Sequence, residues 1–230
     1  MAIRRRALKQ EITKNIEDLP LAQFLATLRE YPAHSLVHPL LACLCSNNEK
    51  VKWYAVSAFG QVMAQLADED MEKARVVMRS CMWMLNDESG GIGWGIPEAF
   101  AEALSQHAGL AREYTHILVS FMREDGFYIE LELLQRGLLW GIGRLAQECP
   151  ELLIARDAPS YLLPYLDSTD LTVRGLAARV AGLLHVREAV NKLQEMGRET
   201  SELRLYDHGV LETVRIKELS DHALSAIQRQ

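Results

Sequence analysis

Tryptophan, carboxylate and guanidinium side chains recur one helical turn apart in this 230-residue chain, and that spacing could do chemistry. Trp94, Glu98 and Glu102 form one such line, and Arg136, Trp140 and Arg144 form another. Trp53 opens a third and Arg179 belongs to a fourth. Residues four apart share a helix face, so each set points one way where its segment is helical. Aromatic and Arg side chains dominate binding hot spots, and a carboxylate beside them can steady a cation, so a recognition face is one expectation. The other is plain architecture. Glu98 with Arg136 and Glu102 with Arg144 would be ion pairs between neighbouring helices, the tryptophans would stack as core, and the helix dipole alone would favour Glu98 in a first turn.

The elements that must position these residues are helices. Apolar residues make up 49% and charged residues 24%, with a net charge of -6, the balance of an ordinary globular chain. Collagen-like, low-complexity and disulfide-scaffold readings are excluded. Apolar periodicity predicts helices near 5–15, 18–31, 34–45, 50–67, 71–85, 94–107, 111–122, 127–149, 159–166, 170–185 and 187–197. Breakers separate them at Asn47-Asn48, residues 87–93, Asp125-Gly126, Pro150 and Asp167-Ser168. After Gly197 the period changes to two: 202–206 and 210–216 alternate around Asp207-His208-Gly209, which predicts a β-hairpin followed by a short amphipathic helix over 218–228. An isolated hairpin is marginal in water, so 198–230 is expected as a cap packed on a helical body covering 1–197.

That body carries a repeat. Val51-Lys52-Trp53-Tyr54-Ala55-Val56-Ser57-Ala58-Phe59-Gly60 matches Val173-Arg174-Gly175-Leu176-Ala177-Ala178-Arg179-Val180-Ala181-Gly182 in apolar, basic and small positions. Ile92–Ala101 and Leu134–Gly143 fit the same frame, so units start at 51, 92, 134 and 173, spaced 41, 42 and 39 residues apart. A period near 40 with two helices per unit is the pattern of an α-solenoid, in which each unit buries its apolar stripe on its neighbours. The chain resembles the HEAT-like repeat family over roughly 33–185, most cleanly at Val173–Arg179 with Asp170 in the preceding turn. The resemblance implies an all-α fold, an α-α superhelix whose second helices line the concave surface. By that likeness Trp53, Trp94, Glu98, Glu102, Arg136, Trp140, Arg144 and Arg179 would lie there as binding residues.

Leu85 to Glu98 holds four glycines between 90 and 95 and then Pro97, which suits a first helical turn. A Gly-rich loop entering a helix can cradle phosphate, but no Lys-Ser/Thr pair follows, and Asp87, Glu88 and Glu98 would repel an anion. A close-packed turn that sets Trp94 and Glu98 in place is expected instead. The loop string resembles that of HEAT-like proteins from anaerobic bacteria, a likeness that brings no activity with it. The chain is also similar to the HEAT-like alkylpurine DNA glycosylases, which would make Trp94, Glu98 and Arg136 catalytic, Glu98 stabilising positive charge at a glycosidic carbon. That family's carboxylate is Asp, and DNA binding needs a basic face. Residues 64–102 carry eight acids against three bases. A third resemblance, to HEAT-like phycobilin lyases that hold a tetrapyrrole, has no residue here to support it.

The four cysteines, Cys43, Cys45, Cys81 and Cys149, fall within helical patterns and are expected as buried thiols of a reducing, cytoplasmic compartment. No His or Cys cluster has metal-ligand spacing; His34 and His38 are a turn apart without a third ligand. Arg4, Arg5, Arg6 and Lys9 open the chain as a solvated turn, with no signal-peptide core after them and no apolar run of the roughly 20 residues that span a bilayer. The combined expectation is a non-enzymatic binding or scaffold module with a protein partner and no cofactor, nucleic acid or membrane.

Overall fold

A computed structural model describes residues 5–86 and 93–229, with backbone alone at Arg5. The chain forms two compact units, Met1–Ala111 and Arg112–Gln230. The first holds α1 (Arg5–Asp18), α2 (Leu21–Thr27), α3 (Ala33–Leu44), α4 (Glu49–Glu69), α5 (Met71–Asn86) and α6 (Ile96–Gln106). α3 packs on α4, and α4 packs on α6. Phe24, Leu36, Leu40, Phe59, Met63, Met78 and Phe100 fill the space between them and are fully buried.

The second unit takes in most of α7 (Ala108–Ser120), then α8 (Glu132–Glu148), α9 (Pro150–Ile154), α10 (Leu171–Leu183) and α11 (Val190–Met196). An antiparallel hairpin, β1 (Glu202–Asp207) and β2 (Val210–Arg215), leads into α12 (Ile216–Gln228). α10 packs on α8, and α12 packs on both α10 and α11. With α11, α12 therefore stands as one more helix pair, and the hairpin is an insertion between its two members. Gly182 permits this: a Cβ there would lie 2.7 Å from the Cα of Ala223, closer than side-chain carbons come to backbone. The hairpin closes through His208 and Gly209, whose φ of 46° and 82° fit a two-residue type I′ turn.

The repeat frame explains how the second helices start. Asn48 caps α4, its Oδ1 accepting the N–H groups of Lys50 (3.0 Å) and Val51 (3.4 Å). Asp170 stands in the same place before α10 and accepts from Thr172 (2.9 Å) and Val173 (3.0 Å). Each cap satisfies two amides that a helix N-terminus leaves unpaired.

Two helical expectations are corrected. α8 begins at Glu132 rather than at 127, because the Phe127 N–H bonds the Ser120 carbonyl (3.0 Å) and the Ile129 N–H bonds that of Phe121 (3.1 Å). Those bonds tie 127–129 to the end of α7 and take them out of the following helix. Over 159–166 the chain forms two 3-10 turns, Ala158–Tyr161 and Leu163–Asp167, where Pro164 lacks the N–H that a continuous helix needs. The glycine-rich loop expected over 86–95 lies mostly outside the described residues, as does Arg4.

Candidate functional site

In the first unit the candidate residues gather on α4, α6 and the turn before α6. Gly95 makes that turn, with a φ of 73°, and sits so close to α3 that a Cβ would lie 2.9 Å from Leu44 Cβ. Only glycine meets both demands. The turn leaves Trp94 37% exposed at the helix entrance, with Pro97 in the first turn as expected. Everything after it on α6 is buried as far as Leu104, including Glu98 and Glu102.

Two buried carboxylates on one helix need partners. Glu98 receives Lys52 of α4, Nζ to Oε1 2.7 Å, with the lysine side chain 29% exposed and the glutamate 5%. The same ammonium lies 5.0 Å from the centroid of the half-buried Trp53 ring, a cation–π contact. Glu102 accepts from Gln106 Nε2 (2.8 Å) and passes over Gly60, where a Cβ would lie 2.6 Å from its Cγ. Trp53, Lys52 and Glu98 are thus one cluster, with Trp94 one turn ahead of Glu98 in the chain.

In the second unit the corresponding residues are held by their own surroundings. Arg136 makes a two-pronged bond to Asp170, Nε and Nη2 to Oδ2 at 2.9 and 2.6 Å. Burial would raise the Asp170 carboxyl, but the Arg136 guanidinium and the Val173 and Thr172 amides outweigh it and hold the group below the usual carboxylate range. Trp140 is buried and donates its indole N–H to the Tyr206 carbonyl of β1 (2.6 Å). Arg144 pairs with Glu148 (2.6 Å). Arg179 lies against Gly143 and reaches Asp207 at the hairpin (3.2 Å). Burial pushes its guanidinium pKa down, and Asp207 opposes that.

The eight residues therefore stand in different situations. Trp94 and the Arg136 side chain are each partly exposed, Trp53 is half-buried, and Trp140 lies beneath the hairpin. Glu98 and Arg136, the carboxylate and guanidinium of the glycosylase likeness, are each engaged by another side chain, Lys52 and Asp170. Lys52 lies outside the aligned Trp/Glu/Arg positions, yet the repeat marks it: it occupies the basic position that Arg174 fills in the last unit. Arg174 also turns inward, to the Ser168 carbonyl (2.8 Å) and Glu199 (3.1 Å). Trp83, also outside the aligned positions, is 76% exposed. Its place was readable, since Val76, Arg79 and Trp83 fall opposite the buried Ala74, Met78 and Cys81 on α5.

Cys43 and Cys81 are buried as expected, and burial pushes the Cys81 thiol up to about 12. Cys45 is exposed and Cys149 half-buried, a correction with a simple cause: each is the residue at which its helix ends. Among the described residues no group of three or more His, Cys, Asp or Glu could hold a metal ion, and no helix is long and apolar enough to cross a membrane.

Solved structures share this arrangement. An engineered protein superposes with a TM-score of 0.59 at 15% identity, covering 100% of this chain and 93% of its own. A designed armadillo repeat protein in complex with the peptide (KR)4 gives 0.60 at 18% identity, over 96% of this chain and 92% of that one. Computationally designed armadillo repeat proteins for modular peptide recognition give 0.54 at 16%, again over 96% and 92%. The chain is an α-solenoid of the HEAT/armadillo type. No family model and no curated protein matches it. In this solenoid the small C-terminal hairpin and final helix are present as expected from the sequence.

Proposed function

We propose that this solenoid is a non-enzymatic binding module that takes a protein segment at the α4–α6 end of its first unit, with Trp94 as the anchor. One observation carries the reading: Trp94, 37% exposed, stands on a turn made by Gly95, one helical turn from an ion pair, Lys52–Glu98, that joins α6 to α4. A tryptophan offers a large contact area with few rotatable bonds to order on binding, and it is among the residues most enriched at hot spots. Structures of the same fold described as recognising peptides support the reading in general terms.

Selection from a displayed random-peptide library tests it. Peptides selected on the wild type should lose about 2 kcal/mol, roughly 30-fold, on the Trp94→Ala variant. Trp83→Ala, which removes a more exposed tryptophan on α5, should bind them as the wild type does. Equal binding to Trp94→Ala and wild type, with matching circular dichroism, refutes the site.

A further inference from the structure

The connection between α7 and α8, in the second unit, carries a run of exposed apolar side chains that no element among the described residues covers. Phe127, Tyr128, Leu131 and Leu133 are 53%, 36%, 38% and 47% exposed within seven consecutive residues. The segment is nevertheless tightly held. Gly126 N–H bonds the Arg123 carbonyl (3.0 Å), and 127 and 129 bond the end of α7. Ile129 is buried as an anchor, and Gln135 Nε2 donates to both the Ile129 carbonyl (2.9 Å) and the Tyr128 hydroxyl (3.2 Å). Four large apolar side chains are thus kept in water on a rigid backbone, the arrangement of a surface built to be covered.

Charge gives the chemistry of what covers it. Residues 123–136 hold four acids and two bases, and both bases are already engaged: Arg123 with Asp125 (2.7 Å) and Arg136 with Asp170 (2.6 Å). Glu124, Glu130 and Glu132 are exposed and make no ion pair among the described residues. Three free carboxylates therefore alternate with, and flank, the apolar side chains.

We propose that this surface docks a basic protein segment in which Lys or Arg residues alternate with apolar ones, the cations meeting Glu124, Glu130 and Glu132 while the apolar side chains cover Phe127, Leu131 and Leu133. It is a second surface, in a different unit from Trp94, and it stands or falls separately from the reading above. An anionic membrane would be repelled by the same carboxylates.

The probe is a fluorescein-labelled octapeptide of alternating Lys and Leu, read by polarisation against its Glu-Leu counterpart and against phosphatidylcholine vesicles. The wild type should bind the Lys-Leu peptide at least tenfold more tightly than the Glu-Leu one, and more weakly as salt rises from 50 to roughly 300 mM, since the pairs are exposed. The Glu130→Gln/Glu132→Gln variant should lose at least tenfold. Phe127→Ser should lose as much without changing the salt dependence. Trp83→Ala, on α5, should bind unchanged. All these substitutions lie in exposed side chains, and a thermal melt like that of the wild type confirms folding. Equal affinity for the two peptides, unchanged binding by both loop variants, or binding to vesicles but not to the peptide overturns the proposal.

Discussion

Removing Lys52 should harm the protein far more than removing the carboxylate it serves. In Lys52→Met the Glu98 side chain, 5% exposed, loses the cation that lies 2.7 Å from it. Breaking a buried pair in this way costs about 3–5 kcal/mol, because a charge is left without compensation. Lys52 is itself 29% exposed, so water reaches one side of the pair and the lower figure, about 3 kcal/mol, applies. The cation–π contact with Trp53 is lost as well, worth about 0.5 kcal/mol at so open a site. Glu98→Gln is the milder change. It keeps an acceptor at the same position, and the freed ammonium can swing into water, for a cost of about 1 kcal/mol. Urea unfolding followed by circular dichroism reads the difference. With a slope near 2–3 kcal/mol/M, Lys52→Met should lower the midpoint of the first unit by about 1 M, and Glu98→Gln by about a third of that. The double variant Lys52→Met/Glu98→Gln should recover part of the loss, since the Glu98 charge is gone as well. A Lys52→Met variant no less stable than Glu98→Gln would show that the attachment of α6 to α4 does not depend on the pair.

The second unit offers two further tests. Asp170 has its folded pKa depressed, so its contribution is present above the unfolded value of about 3.9 and is lost as pH falls through the folded one. Asp170→Asn should keep the cap, cost about 1 kcal/mol at pH 7, and flatten the loss of stability below about pH 4 in an acid titration followed by circular dichroism. Asp170→Ala should lose cap and pair together, about 2 kcal/mol. Gly182→Val should force α10 away from α12, since even a Cβ meets the Ala223 backbone at 2.7 Å, and should cost at least about 2 kcal/mol in thermal melts.

Helix positions and the hairpin were legible because both follow from side-chain period, and the caps Asn48 and Asp170 mark where the second helices begin. What periodicity misses is where a backbone leaves its own helix for a neighbour. Phe127, Leu131 and Leu134 have the spacing of a buried stripe, but the amides of 127 and 129 bond the end of α7 instead. Pairing was the other gap. The frame aligns Glu98 with Arg136, yet an alignment of repeats does not measure reach. Lys52, on the helix that packs beside α6, arrives at Glu98 instead, and the cap Asp170 claims Arg136. Trp140 shows a third. Its burial depends on a hairpin inserted within the last helix pair, and nothing in the forty-residue repeat encodes an insertion.

That insertion sets a schedule for synthesis. Trp140 donates to Tyr206, 66 residues further along the chain. A ribosome adding about 5–20 residues per second needs roughly 3–13 s to bridge that interval. Throughout it the nascent α8 carries an uncovered tryptophan face that its own partner has yet to reach. Chains released early, before the hairpin is made, would therefore be the ones for chaperones to hold.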